Sequence, residues 1–220
     1  MASSSAVRPW RAGSVRPSRP LRARNRQGRE TSVNTAAARA GWIVLIGGLA
    51  GWLAAVALTI ERFKLLVDPS YTPSCSINPI LSCGSVMVTE QAAVFGFPNP
   101  IIGVVGFSVV VTLGVLVVAG VGLPRWIWGG LWLGTVFGIG FICWLIFESL
   151  YRINALCPYC MVVWTIIAPL FAVATEQTFG GTRGPLRVLA EWRWTLVALF
   201  YAVVVVLIFL RFQDYWLSLV

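Results

Sequence analysis

Five apolar stretches, Gly41 to Ile60, Ile101 to Val121, Trp126 to Phe147, Cys157 to Thr175 and Trp194 to Phe212, leave this chain few ways to fold. Each has about the 17–25 residues that a helix needs to cross a bilayer. None alternates as a lipid-facing barrel strand does, and in hydrocarbon only helices and closed barrels satisfy every backbone polar group. With 58% of the 220 residues hydrophobic and 11% charged, no soluble core would hide so much apolar surface. The sequence predicts an all-α integral membrane protein of five transmembrane helices.

The net charge of +9 resembles that of a nucleic-acid binder, but its distribution favours a topological role over a nucleic-acid or lipid-surface one. Nine of the 17 basic residues precede Gly41, with no interleaved aromatic platform for bases. With that tail in the cytoplasm, Arg125, Arg183, Arg187 and Arg193 fall on the same side, leaving only Arg62, Lys64, Arg152 and Arg211 opposite. The positive-inside rule then sets the orientation: N-terminus cytoplasmic, residues 61–100 and the Glu148–Leu156 loop outside, and 213–220 a short outer tail. Residues 1–40, rich in Arg, Ser, Pro and Ala, read as a disordered cytoplasmic tail, since they cannot bury enough surface to fold alone. The first apolar run is too long for the core of a signal peptide.

The long outer loop carries Cys75 and Cys83. Pro69, Pro73 and Pro79 make its first half irregular, whereas Gly84-Ser85 opens a short surface helix expected over Val86 to Phe95. Helices two and three, joined around Gly122-Leu123-Pro124-Arg125, are expected to pack as a hairpin, with Gly129, Gly130, Gly134, Gly138 and Gly140 as the close-approach face. The acidic residues Glu61, Asp68, Glu90, Glu148 and Asp214 fall near membrane ends or in the outer loop, where a solvated role is the default.

The chain has five cysteines and no histidine. Haem attachment through C-x-x-C-H, zinc proteases and Cys–His nucleophiles are excluded together. Cys157-Pro158-Tyr159-Cys160 begins the fourth apolar stretch, which places both sulfurs on a first helical turn. Pro158 is tolerated there, and the helix dipole favours a thiolate. Cys75 and Cys83, separated by seven residues in an irregular loop, can close a disulfide at the same membrane face. Three readings follow from the residues alone: thiol exchange between the pairs, favoured in an oxidising compartment, a structural zinc held by all four thiolates, or fixed clips. Cys143, inside helix three, reads as a small buried core residue.

The order of these motifs resembles the vitamin K epoxide reductase family, its bacterial branch in particular. Cys75-x7-Cys83, Thr89 six residues later, Asn99 followed by Gly103, and then the C-x-x-C at the head of the fourth helix match that family's pattern from about Gly41 to Thr175. The resemblance implies four helices around a quinone pocket with the fifth beside them. It implies Cys157 and Cys160 as the active-site disulfide, Cys160 facing the quinone, Cys157 exchanging with Cys83, and Cys75 meeting a partner thiol. Asn99 would bond a quinone carbonyl and Thr89 would support the active-site thiolate. Trp164 stands where vitamin K-cycling animal enzymes have a quinone-bonding tyrosine, so quinone reduction is implied rather than epoxide reduction. The expected activity is that of a thiol:quinone oxidoreductase in the plasma (inner) membrane. It would reoxidise a separate secreted thioredoxin-fold (DsbA-like) protein at the expense of a menaquinone- or ubiquinone-type acceptor, with no metal and no nucleic acid. A non-catalytic membrane scaffold is the alternative.

Overall fold

The computed structural model describes residues 20–213 apart from 79 and 183, together with residue 217. Among them the α-helices are, in order, α1 (Pro20–Val67), α2 (Cys83–Met87), α3 (Pro100–Val118), α4 (Arg125–Glu148), α5 (Pro158–Phe179) and α6 (Pro185–Arg211). The chain divides into two units, Met1–Ala36 and Ala37–Val220, and the membrane domain is the second. Of the tail expected to be disordered, residues 1–19 lie outside the described residues. From Pro20 the backbone is helical, in keeping with the good helix formers Leu, Arg, Ala and Gln at its start.

Among the described residues, five helices are long and apolar enough to cross a membrane: Ala38–Val67, Pro100–Val118, Arg125–Ile153, Pro158–Phe179 and Leu186–Arg211. The protein is an all-helical, multi-pass membrane protein. The first span runs on past Ile60 to Val67, because Glu61 finds partners in the following loop. The last span starts earlier than its apolar count, since Arg187 and Glu191 form an i,i+4 pair at 2.8 Å and Arg193 reaches Glu176 at 2.7 Å.

Close approach governs one side of the bundle. A Cβ on Gly114 would lie 2.6 Å from Leu45 Cα, so α1 and α3 touch backbone to backbone, and Trp52 donates its indole N–H to Ser108 Oγ at 3.0 Å. The other side differs from expectation. α4 packs on α5 and α5 on α6, but α3 and α4 make no extended contact. Space is open where side chains would stand on Gly129, Gly130, Gly134 and Gly140, and only Gly138 meets a neighbour, Ile167. Of the glycines expected to join helices two and three, Gly130, Gly134 and Gly138 instead line a cavity that Gly106 of α3 also lines. Cys143 faces outward from α4 rather than into a core.

α6 is fastened at three levels. Besides Arg193 and Glu176, Tyr201 donates its hydroxyl to the Thr165 carbonyl. That carbonyl is the one deprived of its helical partner by Pro169, which has no N–H, so the α6 tyrosine satisfies a gap that lipid could not. At the cysteine end, Arg211 Nε donates to the Leu150 carbonyl at 2.8 Å and its Nη2 to Asn154 Oδ1.

The surface helix expected over Val86 to Phe95 forms in two pieces. α2 starts earlier, at Cys83, under a cap in which Ser82 Oγ accepts from the Ser85 amide, and a 3-10 turn covers Glu90–Ala93. Thr89, extended between them, breaks the run by donating its hydroxyl back to the Val86 carbonyl.

Candidate functional site: two cysteine pairs above an apolar cavity

Backbone pairing brings the two cysteine segments together. Asn78 Oδ1 accepts from the amides of Ile80 and Leu81 at 3.0 and 2.7 Å, a side-chain turn that sets Leu81 extended. Leu81 then forms an isolated parallel bridge with Leu156. The Leu156 amide donates to the Ile80 carbonyl at 2.7 Å and the Ser82 amide to the Leu156 carbonyl at 2.9 Å. On the Leu156 side the chain arrives through a π turn, Ser149–Ile153, closed by Asn154 in the left-handed region (φ 58°) that asparagine tolerates. Arg211 pins this turn. Cys83 and Cys157 come just after the bridge, and their sulfurs stand 3.1 Å apart.

Cys75 and Cys83 are joined as a disulfide, whereas Cys157 and Cys160 are thiols. The disulfide sits in the loop pair, and the C-x-x-C that the resemblance implies as the active-site disulfide is present as two thiols. Cys157 is the N-cap residue of α5, just outside the span, and only 2% exposed. The Cys160 thiol beside it lowers its pKa below the ordinary thiol range. Burial opposes this, and the first-turn amides of Cys160 and Tyr159 add to it. Together with Leu58, Cys75, Cys83 and Met87, Cys157 forms a small buried cluster.

Beneath the sulfurs lies a cavity of about 730 Å³, large enough for a ring with a tail, lined by Cys157 and Cys160 and mostly by apolar side chains of α1, α3, α4 and α5. Thr89, Asn99 and Trp164 line it as well. Asn99 clasps the loop, its Nδ2 donating to the Gln91 carbonyl at 2.7 Å and its Oδ1 accepting from the Val94 amide at 3.1 Å. One Nδ2 hydrogen stays without a partner among the described residues. Thr89 bonds the Val86 carbonyl and makes no hydrogen bond to a cysteine sulfur among the described residues. Trp164 is buried, with no hydrogen bond to its indole among the described residues.

Sequence reasoning missed the part played by Glu61. Glu61 is buried rather than solvated: it accepts from Tyr71 Oη at 2.8 Å, from Ser74 Oγ at 3.0 Å and from the Ser74 amide at 3.4 Å. The residue before Cys75 is thus tied to the end of the first span. A carboxylate ending an apolar helix before a Ser- and Tyr-containing loop was the available signal, but its partners lie 10 and 13 residues downstream. Glu148, equally expected to be solvated, is 2% exposed and 3.5 Å from Arg152. Hydrogen bonds to a charged acceptor contribute about 1.5–3 kcal/mol. Replacing Glu61 with alanine is expected to speed hydrogen exchange at the Ser74 amide by roughly ten- to a hundredfold while leaving α4 amides unchanged. Unchanged exchange at Ser74 would show that the clasp does not hold the loop.

No curated protein matches the chain significantly. Residues 42–175, from the first span through most of α5 and including all four paired cysteines, match the vitamin K epoxide reductase family. The chain belongs to that family of membrane oxidoreductases, whose chemistry joins disulfides to quinones.

Proposed function

We propose that the protein is a thiol:quinone oxidoreductase supporting disulfide-bond formation, with its cysteine end on the outer face of a plasma membrane and a secreted thioredoxin-fold (DsbA-like) protein as electron donor. The observation that carries this reading is the 3.1 Å approach of Cys83 and Cys157 sulfurs directly above an apolar cavity that Cys160 also lines. Partner thiols would reduce the Cys75–Cys83 disulfide through Cys75, and freed Cys83 would attack a Cys157–Cys160 disulfide at Cys157. The loop pair closes again as the helix pair becomes a dithiol. An oxidised loop pair beside two thiols in the C-x-x-C is the arrangement such a transfer leaves behind. A bound quinone of menaquinone or ubiquinone type accepts two electrons and two protons as the Cys157–Cys160 disulfide forms. Both sulfurs line the cavity; in this order Cys157, the one in contact with Cys83, would exchange with the loop and Cys160 would face the quinone. The lowered pKa of Cys157 suits it as leaving group toward Cys83 and as the thiolate that resolves onto Cys160.

The cavity fits an apolar ring with a long tail. Its ring end lies under the sulfurs, where Asn99 has a free N–H and Trp164 an unpaired indole to offer a carbonyl. Between α3 and α4 the open space at Gly106, Gly130 and Gly134 gives a tail a way out to lipid. Gly134→Leu, which has room to fold, is expected to raise KM about tenfold for a long-tailed quinone and to leave a tail-free naphthoquinone nearly unaffected. Equal effects on both would place the tail elsewhere.

The zinc form of the scaffold alternative needs four thiolates, and Cys75 and Cys83, joined to each other, do not supply two of them; its fixed-clip form predicts no quinone turnover at all. Purified protein with dithiothreitol and a quinone, followed by absorbance, together with metal analysis, tests the reading. Quinone turnover without zinc is expected; bound zinc with no turnover would replace this function with the scaffold.

A further inference from the structure

Arg62 has no part in the exchange described above, yet it reaches the same cavity. It follows Ala55 and Leu58 at helical spacing on α1, and all three line the cavity, so the apolar stripe ends in an arginine, with Val86, Met87 and Thr89 of the loop lining the same cavity. Arg62 is the one charged residue among the described lining residues. Its Nε is buried without a hydrogen-bond partner, and no ion pair engages it among the described residues. Neighbouring Glu61 is engaged elsewhere, by Tyr71 and Ser74. An arginine N–H that is withdrawn from water and left unpaired costs free energy, and such a group calls for a ligand.

We propose that Arg62 is a binding residue for the head group of the cavity's occupant, its Nε–H donating to a ring oxygen at the loop-side end. This rests on the quinone reading and adds to it. The guanidinium supplies a fixed positive charge at the end of an otherwise uncharged cavity, where charge builds on the ring oxygens as electrons arrive from the dithiol. It also explains how a cavity with so few polar groups would orient a ring: an apolar tail follows the α3–α4 opening, and the oxygen-bearing end is drawn to Arg62. The fork geometry matters as well as the charge, since a lysine ammonium at this position offers no Nε–H at the same place.

The test uses the full-length protein in detergent and menadione, a tail-free naphthoquinone, with equilibrium binding read from tryptophan fluorescence quenching. Arg62→Gln is expected to weaken menadione binding about ten- to a hundredfold, and Arg62→Lys to fall between it and the unsubstituted protein. Formation of the Cys75–Cys83 disulfide and the alkylation rate of Cys157 after dithiothreitol are expected to stay unchanged, which separates a binding role from a folding defect. If Gln and Lys variants both bind menadione as the unsubstituted protein does, Arg62 is not a head-group residue although the quinone reading stands. If Arg62→Gln does not fold, an Arg62→Lys protein of undiminished affinity and KM is by itself sufficient to overturn the assignment. If the unsubstituted protein neither binds nor reduces menadione or a long-tailed quinone, both readings fall together.

Discussion

Cys160→Ala is expected to reduce quinone turnover to the uncatalysed background with every thiol donor, whereas Cys75→Ala is expected to block only the protein partner. The difference follows from position. Cys160 lines the cavity proposed to take the electron acceptor, and without it the C-x-x-C cannot close the disulfide whose formation would pass two electrons to that acceptor, while a Cys83–Cys157 link would only trap the exchange. Cys75 sits in the loop held by Glu61, and its loss removes the sulfur that a bulky thioredoxin-fold protein would engage. A small membrane-permeant dithiol has no need of it, because it can reduce the helix pair directly. Turnover with dithiothreitol in Cys75→Ala should therefore remain within a few-fold of the unsubstituted rate, while turnover with the protein donor is lost. Loss of both activities in Cys75→Ala would mean that the loop pair is a structural clip, and persistence of quinone reduction in Cys160→Ala would move the electron exit to another group.

The other large effect concerns the sulfur–sulfur contact itself. At 3.1 Å, Cys83 and Cys157 need to close only about 1 Å to reach bonding distance. Each normally has a better partner: Cys75 for Cys83, and Cys160 for Cys157. Removing both resolving sulfurs in Cys75→Ala/Cys160→Ala leaves no thiol to break the link, so a Cys83–Cys157 disulfide is expected to accumulate in nearly every molecule under mild oxidant. Peptide mapping after acid quenching and alkylation reads it directly. Free thiols only, or a bond from either cysteine to Cys143, would be incompatible with the proposed order of exchange. Cys143 faces outward from α4, so the second of these outcomes would also require a rearranged bundle.

Much of this arrangement is legible in the residues. Length and apolarity alone carry the five spans, because the bilayer imposes a length on any helix that crosses it. Cys157-Pro158-Tyr159-Cys160 announces its first-turn position through proline chemistry. What stays hidden depends on pairings that no local pattern encodes. The glycines of α4 carry the composition of a packing face, but whether a small residue admits a neighbour or leaves a void is decided by the partner helix. Gly114 meets Leu45, and Gly134 meets nothing. Glu61 looks like an interfacial charge until the fold brings Tyr71 and Ser74 to it from the following loop. The apolar run around Cys143 points to a core, but in a membrane protein apolar surroundings include the lipid, so such a run does not identify the inner face. Thr89 and Asn99 read as ligand-facing polar groups, and both prove to hold the loop that roofs the cavity as well as lining it.

The Leu81–Leu156 bridge is made by backbone amides and carbonyls, so the alignment of the two sulfurs owes nothing to which side chains stand at its two centres. It depends instead on counting. Only Ser82 lies between Leu81 and Cys83, and nothing lies between Leu156 and Cys157, so an inserted or deleted residue on either side turns a sulfur away as successive side chains alternate direction. Across time such a site can drift freely in composition while remaining fixed in spacing. Proline is the exception among substitutions: at position 82 or 156 it deletes one of the two amides that hold the count, and the relay loses its register without losing a single cysteine.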